Sequence, residues 1–493
     1  MAEDKNSYRN ITKAIGLFGG VQVFQIIVGI IRNKIVAILL GPFGMGVSGL
    51  ITSATQFVAS LSGFGLHTSS VRDVSKAHAS NDIRKISITV KVLRRLVYLT
   101  GLLGTIIVFL FAPLISEISF GSKDYVVEFR LVSIILLIDQ ICIGQKVLLQ
   151  GTMNYKYMAK ASLIGSVLGL ILCVPLYYIW KIKAIVPVLI LTSLTNLLLS
   201  WYFSKKIKLI NVDLSIKETI NKGSAMLKLG LAIAITGVIN IAQVYIIRLF
   251  ISNIGSIEDV GLYTAGIAIA TQYINVVFSS MGSDYSPRLA AVSDDEHKFN
   301  ETINRQMKLL ITLILPLIIA FIVFIKPITI LLYSEKFIPI TGMIEWIIYG
   351  MFFRAISWCI SFGFIAKGFS KIFFLNELIA TIYMLITTLV GYYFFQFTGV
   401  GITFCLNYLL YSIQMILVGQ KYFNYKISKD NKLPIILQII SVSLVIVIMK
   451  LLEYTMLRYI VGCIIIIISV IYSFVNLDKM IGIKEWINNK FKR

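Results

Sequence analysis

The residues with the most chemical leverage in this sequence are arginines embedded in apolar runs. Arg32 sits in FGGVQVFQIIVGIIRNKIVAILLGP (residues 18–42), Arg248 in NIAQVYIIRLF and Arg354 in YGMFFRAISW. A helix over residues 15–40 would be roughly 38 Å long and would carry Arg32 well inside a hydrocarbon layer about 30 Å thick. A cation at that depth costs about 2.5–3.5 kcal/mol on insertion scales and faces a bundle interior or a wet cavity. Helical spacing places Gln22, Gln25, Gly29, Arg32 and Val36 on one face, polar or small for four successive steps. Arg32 therefore lines something wet or anionic, or else belongs to a buried ion pair. Lys34 lies about 200° round from Arg32, beside Ile27, Ile30, Ile31 and Ile38. It meets a neighbouring helix or snorkels, and is kept with Gln25 among the candidate ligand-binding residues.

Acids are fewer in these runs: Asp139, Asp284 and Glu377. An excess of guanidinium attracts an anion, and the guanidinium fork matches phosphate oxygens, so phosphate or pyrophosphate is the expected polar part of a ligand. Asp139 and Glu377 relay protons for ion coupling or pair with the arginines. Nothing points to catalysis. Walker A, GxSxG and HExxH sequences are missing, so neither ATP hydrolysis nor a cofactor is expected. His67, His78 and His297 lack metal-ligand spacing, and the five cysteines stand singly in apolar segments.

The elements that must position these residues are membrane helices. The 493 residues are 57% hydrophobic and only 14% charged, against about 25% charged in soluble domains. Fourteen apolar spans follow one another without a soluble domain between them. No A-x-A-like cleavage site follows the first, which is read as retained. The net charge of +22 is spread between spans, which fits membrane orientation rather than nucleic acid. Lysine and arginine fill alternate connections, from Lys5, Arg9 and Lys13 to the tail at 479–493, while residues 41–45 and 396–399 carry none. Both termini are therefore expected in the cytoplasm. Two basic stretches, 67–95 and 205–225, suit helices lying on an anionic leaflet or solvated loops.

An internal repeat divides the chain. Arg32 and Arg248 lie 216 positions apart, as do Arg72 and Arg288; Gly151 and Gly368 lie 217 apart. Gly46-Val-Ser-Gly-Leu50 resembles Gly261-Leu-Tyr-Thr-Ala265. The expected fold is all-α and polytopic: two pseudo-symmetric six-helix lobes, 1–204 and 226–425, a linker at 205–225, and an extra helix pair with a tail at 426–493. In that arrangement Arg32 and Arg248 face each other across a cavity between lobes, with Arg354 as a third guanidinium. Arg72 and Asp73 follow the second span, Asp284 and Arg288 the eighth, and these four form the expected cytoplasmic entrance.

The stretches IIRNKIVAILLGPFGMGVSGL (30–50), GFGLHTSSVRDVS (63–75), VGLYTAG (260–266), SSMGSDYSPRLA (279–290) and FIAKGFSKIFFLNE (364–377) resemble the polysaccharide transporters of the multidrug/oligosaccharidyl-lipid/polysaccharide flippase superfamily. More narrowly, they resemble bacterial O-antigen and lipid III flippases, over residues 10 to 425. The resemblance implies alternating access without ATP in the bacterial cytoplasmic membrane. It implies an undecaprenyl-diphosphate-linked glycan as cargo, with a polymerase and glycosyltransferases of the same pathway as partners. The extra helix pair resembles the lipid II flippase branch, where such a pair lies beside a groove for the lipid tail. A cationic-drug exporter of the same architecture would need an acidic cavity. A membrane glycan polymerase would need a large outer domain.

Overall fold

Glycine and proline decide where the long apolar runs turn. The computed structural model describes residues 2–452 and 456–481, and every described element is helical. The basic tail at 482–493 lies outside the described residues. The chain forms two compact units, Met1–Gly261 and Leu262–Arg493.

In the first unit, α1 (Ala2–Ser62) carries two spans and breaks at Gly41, where φ is 65° and ψ −172°. That setting is open to glycine, and Pro42 beside it removes a backbone donor. The expected first outer loop is thus a kink within one run. There follow α2 (Leu66–Ala79), α3 (Ile83–Phe120), α4 (Val126–Val132), α5 (Ile134–Gly151), α6 (Tyr155–Trp180), α7 (Ile185–Ser204) and α8 (Ile216–Ile254). Ile51, Val108, Phe129 and Leu136 fill one core; Leu66, Val74, Leu93 and Leu148 fill another.

α9 (Ile257–Ala291) begins in the first unit and runs into the second. It is followed by α10 (Glu296–Val323), α11 (Ile325–Leu332), α12 (Thr341–Ala366), α13 (Ser370–Phe423), α14 (Lys429–Leu451) and α15 (Met456–Ile481). Ile303, Met307, Ile314, Ile344, Phe352 and Phe364 are fully buried in this unit. The extra pair α14–α15 docks on α10. Ser473 Oγ donates to Thr312 O at 2.7 Å, and Asn431 Nδ2 donates to Asn304 O at 2.8 Å.

Ten described segments are long and apolar enough to span a membrane. Three of these, 20–62, 155–204 and 370–423, are each interrupted midway: at Gly41, at the 3-10 turn Lys181–Ala184, and at Gln396. With these three counted as two spans each, and with the 18-residue α5, which is not one of the ten, the helices correspond to the fourteen spans read from the sequence.

The two glycine motifs of the repeat meet. A Cβ on Gly46 would lie 1.8 Å from Ile257 O, and one on Gly261 would lie 1.8 Å from Pro42 O. Only hydrogen fits at either position.

Of the two basic stretches, expected as leaflet helices or solvated loops, the first is helical at α2 and the second is in part a loop. α2 is helical, but its apolar face, with Leu66 and Val74, is spent on Val90, Leu93 and Leu148. Residues 208–215 have no regular secondary structure, and α3 offers the backbone partners a helix would otherwise supply. Ser87, Lys91 and Arg95, spaced by four on α3, take Ile210 N, Val212 O and Ser215 O. The helix restarts at Ile216 behind a capping box, in which Ser215 holds the Glu218 carboxyl below its usual range.

Candidate functional site

Helical periodicity delivers Gln25, Gly29 and Arg32 to one wall of a cavity of about 280 Å³ inside the first unit. The other walls are α5 with Lys146, α6 with Ser162 and Gly165, and α7 with Asn196 and Ser200. Gly165 allows α6 and α7 to close up, since a Cβ there would lie 2.7 Å from Asn196 Oδ1. Arg32 is within electrostatic reach of Cys173 and Tyr177. Two basic side chains line this cavity and, among the described residues, no carboxylate does. Lys146 was not among the residues singled out from the sequence. Its signal was there: it lies seven residues after Asp139, on the same face of α5, and Asp139 is within its electrostatic reach.

The other candidates lie elsewhere. Arg248, in the same unit, donates from Nη1 to Gly49 O at 3.0 Å and is not part of the cavity lining. Lys34 is half-buried and also off that lining, as its angle on the helix requires. Arg354, in the second unit, lies 5.3 Å from the ring centre of Phe278 and 5.7 Å from that of Tyr408. Its charge rests on aromatic faces. Arg72 is exposed and pairs with Asp73 at 3.0 Å.

Asp284 and Arg288 line a second cavity, of about 1430 Å³, in the second unit. They pair at 2.8 Å, and Arg288 Nη2 also donates to Gln306 Oε1 at 3.0 Å. Arg305, Lys308 and Lys426 face Glu296, Glu301 and Asp430 around the same space, so the lining does not select a sign of charge. Asn304 anchors its floor: its Oδ1 accepts from Ser428 N at 2.9 Å.

Neither Asp139 nor Glu377 is paired with an arginine among the described residues. Asp139 accepts from Ser193. Glu377 accepts from the Tyr411 hydroxyl, with Tyr383 within electrostatic reach. Nearby, Gln414 Nε2 donates to Asn376 Oδ1 and Thr387 Oγ1 to Asn407 Oδ1, each at 2.8 Å. This is a hydrogen-bonded patch around a carboxyl group rather than an ion pair. No group of three or more metal-ligating side chains occurs among the described residues.

Comparison with known proteins follows the same lines. The lipid II flippase MurJ, in an inward closed conformation, is similar with a TM-score of 0.69 at 16% identity, over 94% of this chain and 99% of that one. An inward-facing multidrug resistance MATE family transporter of the MOP superfamily is similar with a TM-score of 0.66 at 16% identity, over 81% and 94%. A MOP superfamily transporter from Pyrococcus furiosus, described by the reverse polarity of its binding pocket, gives 0.56 at 16% identity, over 84% and 96%. At these identities the likeness is one of fold. No curated protein matches in sequence. A family model described as polysaccharide biosynthesis protein matches residues 35–341, and the chain, with its MOP-superfamily fold, belongs to that family.

Proposed function

We propose that the chain is a flippase that carries undecaprenyl-diphosphate-linked oligosaccharide units from the inner to the outer leaflet of the bacterial cytoplasmic membrane. The observation that carries this reading is the polarity of the cavity in the first unit: Arg32 and Lys146 line it without an opposing acid. Two cations at membrane depth, of which Lys146 alone has an acid, Asp139, within reach, are stabilised by an anionic ligand, and a diphosphate supplies that anion on a lipid. A cationic drug would meet the wrong sign. In this reading Arg32 receives the diphosphate in the cavity, with Arg248, Gln25, Lys34 and Arg354 as further contacts along its path. Arg72–Asp73 and Asp284–Arg288 form the cytoplasmic entrance. Asp139 and Glu377, each of which accepts from a hydroxyl, carry the coupling proton. The lobes 1–204 and 226–425 alternate access around the linker at 205–225, and no covalent step is involved. Glycosyltransferases and a polymerase of the same pathway make and consume the cargo.

A lipid II-type flippase is the second reading. The likeness to MurJ extends over 94% of the chain, against 81% for the MATE transporter named above.

The test is surface glycan measured together with membrane protein level for Arg32→Ala, Arg248→Ala and the double variant. Glycan export should be lost in each while the protein still accumulates. Arg→Lys keeps the charge but loses the fork, so it should restore export only in part. Normal glycan in the double variant would overturn the reading.

A further inference from the structure

Two hollows in the first unit share the walls of α1 and α6. One is the basic cavity of about 280 Å³. The other is a groove of about 610 Å³ lined only by apolar residues and glycine, among them Phe24 of α1 and Ile164 and Leu168 of α6. Those three are 38%, 40% and 37% exposed, as side chains facing bilayer lipid are. On α1 the groove residues and the cavity residues occupy adjacent faces, and the buried Val21 and Val28 lie along the boundary. An apolar slot open to lipid thus lies beside a cationic pocket, along one helix–helix seam.

We propose that groove and cavity form one site for a polyisoprenyl diphosphate, entered sideways between α1 and α6, with the diphosphate on Arg32 and Lys146 and the first isoprene units in the groove. The identity of the lipid rests on the flippase reading. Charge favours this occupant: two cations match a terminal diphosphate, whereas a phospholipid diester brings a single negative charge. A cavity of about 280 Å³ has room for a diphosphate. Lys146 acts here as a specificity residue for the phosphate end, and the seam gives a route for a lipid that never leaves the bilayer.

The experiment measures binding of glycan-free undecaprenyl diphosphate to the purified full chain in phosphatidylcholine nanodiscs, with phosphatidylglycerol and inorganic pyrophosphate as separate competitors. Lys146→Gln should weaken binding at least tenfold and Lys146→Arg should restore it. Ile164→Trp, which fills the groove, should weaken it comparably, while Leu331→Trp on an apolar surface of the second unit should leave it unchanged. Each competitor should be at least tenfold weaker than the intact lipid. Thermal unfolding and monodispersity of every variant separate loss of binding from loss of fold. Wild-type affinity in both Lys146→Gln and Ile164→Trp, or equal competition by phosphatidylglycerol, would overturn the proposal. The two readings fail separately. Normal carrier binding in those variants, with export lost in Arg248→Ala, defeats the site and spares the flippase. Carrier binding as described, with normal export in the Arg32/Arg248 double variant, does the reverse.

Discussion

A guanidinium within these helices is explained by what surrounds it, and the arginines here divide on that basis. Arg458 is 4% exposed and donates to Met449 O at 2.6 Å, Ile322 O at 2.9 Å and Val323 O at 3.5 Å. It ties the ends of α10 and α14 to α15, where helix carbonyls would otherwise lack donors. Arg354 rests on aromatic rings, and Arg248 holds a backbone carbonyl. Arg32 instead faces a cavity with a second cation. Arg458→Met should therefore destabilise the protein by about 1.5–3 kcal/mol, since hydrogen bonds from a charged donor are lost and buried carbonyls are left unpaired. Thermal unfolding in detergent reads this, and an unshifted midpoint would contradict the structural role. The face Gln25–Gly29–Arg32 was legible in the sequence because helical periodicity is local. Lys146, Arg458 and the buried Glu345, whose partner Lys450 lies 4.0 Å away, were not singled out. What each one does depends on helices far away in the chain, which no spacing rule reports.

At the scale of elements, the stretch after α7 shows where local pattern gives way to tertiary structure. Lysines interleaved with Ile207, Ile210 and Leu214 suit an amphipathic helix or a solvated loop, and residues 208–215 have no regular secondary structure where they bond to α3. Ile207, Leu209 and Leu214 still bury their side chains, against the cluster around Val90 and Leu93. The apolar content was read correctly and its surface was not, because the competing ligand for that face is protein rather than lipid. The backbone of the strap is held chiefly by Lys91 and Arg95, whose bonds reach Val212 O and, from Arg95 Nη1, Ser215 O at 3.2 Å and Thr219 Oγ1 at 2.5 Å. Asp213 adds only an exposed ion pair with Lys91 at 3.6 Å, of a kind worth little in water. The Lys91→Ala/Arg95→Ala double variant should accordingly be cut by trypsin at Lys208 about thirtyfold faster, as expected when roughly two net hydrogen bonds of about 1 kcal/mol each are removed. Asp213→Ala should be cut at the wild-type rate. Equal rates in all three proteins would mean that the apolar side chains alone hold the strap.

For the whole molecule, the governing quantity is the number of crossings together with the side on which basic residues fall. An even count predicts that both ends of the chain share a side. The count was legible in the sequence from unbroken apolar length, and the lysine–arginine bias of alternate connections sets the expected orientation. Where length alone misleads is at the kinks: α1 and α13 run for 61 and 54 residues without a loop, and only Gly41 and Gln396 reveal two crossings in each. The connection between α3 and α4 and the one before α14 fall on opposite sides in a fourteen-span count. The first holds one lysine, Lys123, beside Asp124, with Glu128 and Arg130 in the helix that follows, whereas the second holds Lys426, flanked by Lys421 at the end of α13 and by Lys429 and Lys432 at the start of α14. The bias rule puts the second in the cytoplasm. In a cysteine-free background, Lys123→Cys should react with a membrane-impermeant maleimide in intact cells, and Lys429→Cys should react only after the membrane is opened. Both positions are exposed, so protection at either reports the membrane rather than burial. The reverse pattern would invert the orientation and place the entrance residues Arg72, Asp73, Asp284 and Arg288 on the outer face. Labelling of both from outside would remove an odd number of crossings between them, and with it the two-crossing reading of α13 or another of the spans counted here.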